Sequence, residues 1–67
     1  MNNREMITNI LDVYGPSTSK EIANLVIREY DTRLSPSQIA GSLRPLIAKG
    51  MAASSKNDKN VTVYWMN

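Results

Sequence analysis

The residues best equipped for chemistry sit between Leu34 and Gly50, in the stretch LSPSQIAGSLRPLIAKG. Ser37, Gln38, Ser42, Arg44 and Lys49 bring hydroxyl, amide and cationic groups, with Gly41 among them. Such groups recognise a polar or anionic surface through hydrogen bonds and charge. Elsewhere the chain offers little for catalysis. It has no Cys and no His, which excludes disulfides, thiol or imidazole catalysis and the usual zinc sites. Its six carboxylates are scattered and form no recognisable acid/base pair or metal cluster, and its three glycines fit no phosphate-loop spacing. No enzyme activity and no cofactor are expected.

These groups need a frame to hold them, and the spacing predicts a helix over about 36–49. Ser35 is a good N-cap, Pro36 suits the first helical position, and Gln38 completes a capping box. Leu34 and Ile39 form the matching hydrophobic staple. Lys49 complements the negative end of the dipole, and Gly50 suits a left-handed C′ position. Ile39, Leu43, Leu46 and Ile47 make one apolar stripe, so Ser37, Gln38, Gly41, Ser42 and Arg44 fall on the opposite face. A helix that is apolar on one side and slim and uncharged-to-basic on the other is well shaped for a DNA major groove. Pro45 interrupts the pattern: it lacks the N–H that would bond the carbonyl of Gly41, and its ring crowds that carbonyl. Either a local bend eased by Gly41 or an early helix end is expected. Gly41 itself reads either as backbone relief or as a point where backbone approaches DNA closely.

The rest of the chain reads as support. A first helix is predicted over about 3–14, with Met6 or Ile7, Ile10, Leu11 and Tyr14 inward and Gly15-Pro16 as its stop. A second capping box, Thr18 to Glu21, opens a helix over about 19–30, whose apolar positions Ile22, Ala23, Leu25, Val26, Ile27 and Tyr30 form a wide stripe. Ser17, Ser19 and Lys20 lie where free N–H groups and the dipole favour a phosphate, although Ser and Thr there also serve simply as caps. Asp31-Thr32-Arg33 makes a tight link to the next helix, a helix-turn-helix arrangement. After Gly50 the period changes to two. Strand-like residues from Met51 and from Val61 flank the turn-forming tip Lys56-Asn57-Asp58-Lys59-Asn60, a β-hairpin over about 51–66. In its second strand Val61, Val63 and Trp65 share one face, and Thr62, Tyr64 and Met66 the other; one face must close the core, and Trp65 is expected to take part in it.

Charge distribution says more than its total. The net charge is +2 over 67 residues. Residues 1–34 carry four cations against five carboxylates, a net of −1, whereas residues 35–67 carry four cations against Asp58 alone, a net of +3. The positive field therefore gathers on the half that holds the polar helix face and the hairpin tip. No stretch approaches the roughly 20 apolar residues of a membrane span, and the N-terminus lacks a signal-peptide core. A single cytoplasmic domain spanning 1–67, with no membrane partner, is expected.

Three helices followed by a hairpin with a basic tip resemble the winged helix-turn-helix family, especially the small DNA-binding domains of bacterial and phage regulators. The resemblance covers roughly residues 4–66. GPSTSKEIA (Gly15 to Ala23) looks like the family's turn into helix 2, LSPSQIAGSLRPLIAKGMA (Leu34 to Ala52) like its recognition helix, and SSKNDKNVTVYWM (Ser54 to Met66) like its wing. The fold implied is α+β, three helices and a two-stranded wing. The resemblance implies that Ser37, Gln38 and Ser42 enter the major groove of double-stranded DNA, with Arg44 on a base or a phosphate. Gln pairs with adenine and Arg with guanine through two hydrogen bonds. It also implies that Lys56, Asn57, Lys59 and Asn60 lie along the backbone or in the minor groove, with Ser17, Ser19 and Lys20 on phosphates. With so few cations, specific binding calls for a homodimer on a two-fold site or for recruitment by a protein partner. A transcriptional regulator is the function expected. The alternative is a winged-helix module that binds protein, as an adaptor or an inhibitor of host machinery; RNA binding or a role in replication is a third reading.

Overall fold

A computed structural model describes residues 1–67. Helix α1 runs Asn3–Tyr14, and its first turn is closed by Asn2, whose side-chain oxygen receives the Glu5 N–H at 2.8 Å. It buries Met6, Ile7, Ile10 and Leu11. Tyr14 departs from expectation. It belongs to the apolar period of the helix but lies 44% exposed, because its hydroxyl turns outward to donate to the Glu29 carboxylate on the next helix. Gly15 ends α1 at φ 79, ψ −160, a region open essentially only to glycine, while its N–H closes the last turn on the Leu11 carbonyl at 2.9 Å.

Helix α2, Ser19–Tyr30, begins at the reciprocal capping box of Thr18 and Glu21 and ends at Asp31 in the left-handed conformation. Its inward stripe is narrower than the sequence suggests. Ile22 and Val26 are fully buried, Ala23, Leu25 and Tyr30 pack at the margin, and Ile27 remains 38% exposed. Helix α3, Pro36–Ala48, buries Ile39, Leu43 and Leu46. It passes through Pro45 without a break, so the early end considered above does not occur. Lys49 caps it, and Gly50 adopts φ 76. The Gly50 N–H reaches the Ile47 carbonyl at 3.0 Å and the Met51 N–H reaches that of Leu46 at 2.9 Å, the two bonds of a Schellman motif.

The sheet holds one strand more than the hairpin alone. Strand β1, Ser17–Thr18, joins β2, Ala52–Lys56, and β3, Thr62–Met66, in an antiparallel sheet of order β1-β3-β2. The register pairs Ser17 with Tyr64 and Thr18 with Val63 on one side of β3, and Ala53 with Trp65 and Ser55 with Val63 on the other. Two residues with no visible period carry no strand signature, so β1 is legible only through its partner.

Since residues directly opposite in an antiparallel pair point to the same face, this register sorts the sheet. Ser17, Ala52, Tyr64 and Met66 face the helices: Ser17 and Ala52 are buried, and Tyr64 and Met66 pack against the core. Trp65 and Val63 therefore face away. The expectation that Trp65 closes the core is corrected, and the physical reason is the two-residue period: seating Tyr64 and Met66 inward leaves their neighbours outward. The core is one cluster of eleven residues, to which all three helices and Ala52 of the sheet contribute. The winged helix-turn-helix architecture, α+β, is established. No helix is long and apolar enough to cross a membrane.

Candidate nucleic-acid interface

With Ile39, Leu43 and Leu46 pinned inward, helical geometry sets what α3 shows to solvent. Ser37, Gly41, Arg44 and Ala48 are exposed and recur at i, i+4, i+7 and i+11, a single stripe. Beside it, Gln38, Ser42 and Pro45 form a second stripe on the flank toward the start of α1, where Ser42 and Pro45 share a shallow depression with Asn2, Asn3 and Arg4. No carboxylate occurs from Thr32 through Asn57, so neither stripe carries negative charge of its own. An added Cβ at Gly41 would meet no neighbouring atom within 4 Å. Its lack of a side chain therefore answers no packing demand inside the protein, and it leaves backbone open between Ser37 and Arg44.

Gln38 is the most constrained of these groups. Its backbone N–H donates to Ser35 Oγ at 3.1 Å, while its side-chain Oε1 receives the Ser35 N–H at 2.8 Å. The amide oxygen is thus engaged in the capping box, and its NH₂ is the part left to face outward. Two-point pairing with adenine uses both ends of the amide and competes with the cap.

Lys49 is not brought to this group. It lies at the far end of α3, about 18 Å along the axis from Ser37 at about 1.5 Å per residue, and lines a groove with Arg4, Glu5 and Thr8 of α1.

The hairpin tip is built around Asn57. Its side-chain Oδ1 receives the N–H groups of Lys59 at 2.9 Å and Val61 at 3.0 Å, and its backbone N–H donates to the Val61 carbonyl at 2.9 Å. Asn60 takes the left-handed conformation that Asn tolerates better than most residues, φ 64. Asn57 is therefore a brace of the tip, and Lys56, Lys59 and Asn60 stand exposed around it, with Asp58 between them.

At the start of α2 the three residues expected on phosphates separate. Ser17 is only 5% exposed, and its hydroxyl donates to the Gly15 carbonyl at 2.9 Å, so it is corrected from an anion contact to a structural residue of β1. Its face of the sheet meets the core, which is why it cannot reach outward. Ser19, at the first position of α2, is half-buried, and Lys20 is exposed. Sequence reasoning missed the placement of Trp65, which lines a shallow pocket with Pro16, Ser55, Lys56, Asn57 and Val63. The alternation of β3 was the available signal, but choosing between its two faces required the helices in place.

No protein-family model matches the chain, and no curated protein matches it in sequence. Solved structures do match in fold. A HOP2 structure, described for its DNA recognition and protein interaction domains and for homologous DNA pairing, superposes with a TM-score of 0.76 at 15% identity, covering 98% of this chain and 100% of that one. The complex structures of hsRosR-S1 and hsRosR-S4 each superpose with a TM-score of 0.82 at 18% identity and cover 100% of this chain. The chain spans only 60% and 58% of those two, respectively.

Proposed function

We propose that the protein binds double-stranded DNA as a small cytoplasmic transcriptional regulator, with α3 in the major groove and the hairpin as a wing on the backbone or in the minor groove. The observation that supports this reading best is the exposed face of α3. Its core-facing side chains Ile39, Leu43 and Leu46 anchor it to the core, and the face it presents is narrow, free of carboxylates and marked by Arg44. Ser37, Ser42 and the Gln38 NH₂ supply hydrogen bonds to base edges, Arg44 contacts guanine or a phosphate, and Gly41 lets backbone approach closely. Lys56, Lys59 and Asn60 supply the second, sequence-independent set of contacts, and Lys20 with Ser19 a third. The likeness in fold to a HOP2 structure described for its DNA recognition and protein interaction domains is consistent with this use of the fold.

With about four to six phosphates neutralised, a single copy binds weakly and with a steep salt dependence. Two copies on a two-fold site restore affinity, and a homodimer on DNA is part of the proposal. The experiment is selection from random double-stranded DNA at two salt concentrations. Retention that falls with salt and enriches a short inverted repeat supports the reading. Absence of retention even at low salt rejects it in favour of a protein-binding module.

A further inference from the structure

The single Trp of the chain is on the outer face of the sheet, where the core makes no use of it. Trp65 and Val63 of β3, with Pro16 from the α1–β1 turn, form the floor of a shallow open pocket of about 380 Å³, and Ser55, Lys56 and Asn57 form its rim. The chemistry of this lining is one-sided. Lys56 is its only charged group, and no carboxylate lines it. The Asn57 amide oxygen is spent on the N–H groups of Lys59 and Val61, so its NH₂ is left to donate. A flat indole, with an amide NH₂ on the rim and a lysine at the strand edge whose flexible stem lets its ammonium swing over the pocket, suits a flat ligand that carries acceptors and negative charge, which is the description of a nucleotide.

We infer that the outer face of the sheet binds an unpaired nucleotide of a DNA strand, its base stacked on Trp65 and its phosphate at Lys56. A base inside a duplex has both faces covered by its neighbours, so only a single-stranded, terminal or extruded base can take this place. Stacking on an aromatic ring tolerates any base, and a cation beside it holds the backbone. The site is separate from the exposed face of α3 but shares Lys56 with the wing contacts of the duplex reading, so the two are told apart by the ligand that binds.

The test uses the intrinsic fluorescence of Trp65, the only indole, titrated with a short oligothymidylate at low salt and followed in parallel by anisotropy of the labelled oligonucleotide. The expected result is saturable quenching that weakens as salt rises. Trp65→Leu should lower the affinity about 10-fold, the order lost with one stacked base. Because that variant alters the sheet, Ser55→Glu provides the second arm. Ser55 is exposed, and a carboxylate on the rim should repel the phosphate and weaken binding at least about 5-fold while circular dichroism stays unchanged. No quenching at low salt overturns the inference, as does equal affinity of the wild type and Ser55→Glu. Quenching by a proline-rich peptide and not by oligothymidylate overturns it as well, in favour of a peptide site. A blunt duplex measured alongside separates the two readings: oligothymidylate binding without duplex binding rejects only the use of α3, and the reverse rejects only the Trp65 site.

Discussion

Ser35 and Gln38 hold each other, the backbone N–H of each donating to the side-chain oxygen of the other at 2.8 and 3.1 Å. This reciprocal cap fixes the start of the helix that carries the exposed polar face, so the first turn of α3, with Ser37 in it, has its geometry set by bonds within the protein. Replacing Ser35 with Ala leaves the Gln38 N–H in the first turn of α3 without its partner and should cost about 1 kcal/mol. Thermal unfolding of Ser35→Ala beside wild type measures it.

Gln38→Ala separates cap from contact. If the amide serves the cap alone, affinity for a selected duplex falls only with the helix end, and sequence preference is unchanged. If its NH₂ reads a base, preference relaxes at one position of the site, as a repeat selection on the variant reveals.

Arg44→Ala should weaken duplex binding and leave the melting temperature at the wild-type value, because Arg44 is exposed and bonded to nothing within the protein. Lys56→Glu with Lys59→Glu should weaken binding to all duplexes alike and reduce the salt slope by about 2, one for each phosphate contact removed. Binding isotherms at several salt concentrations read both effects.

Leu43, fully buried at the centre of the core, should cost about 2–5 kcal/mol when cut to Ala, enough to unfold a domain of this size. Trp65→Ala, on the outer face, should cost less than half of that and leave a cooperative transition. Denaturant melts of the two variants distinguish core from surface directly.

The Tyr14 hydroxyl donates to the Glu29 carboxylate, and this bond, aided by partial desolvation and the nearby negative charge, holds the phenol above its ordinary value, with Arg28 pulling weakly the other way. A phenol raised in the folded state contributes stability below about pH 10 and loses it as pH climbs through the raised value. Glu29→Gln should therefore bring the Tyr14 titration down, read as the phenolate absorbance difference between each protein and its Tyr14→Phe counterpart.

The architecture was legible because local signals agree with one another. Two capping boxes, two glycines at helix ends and a change of period from 3.6 to 2 after Gly50 all specify the same fold class. What remained hidden was set by contacts distant in sequence. Ser17 belongs to a strand because β3, almost fifty residues later, offers it a partner; read locally, it is one more hydroxyl beside a helix start. Tyr14 and Ile27 fit the apolar period of their helices but lie where no neighbour covers them. The alternation of Val63, Tyr64 and Trp65 was plain, but which side meets the helices depends on how the hairpin docks. The exposed face of α3 was read correctly as a face, while the engagement of Gln38 in its own cap shows that one side chain can satisfy two expectations that compete.

The order β1-β3-β2 also ties the sheet into one cooperative unit. β3 is the central strand, so β1 and β2 have nothing to pair with until it is in place, although β1 lies more than forty residues before it. Tyr64 and Met66 of the same strand pack against the core, so pairing of the sheet and closure of its inner face belong together. Unfolding is therefore expected to be a single event, with no stable hairpin left once the helices separate.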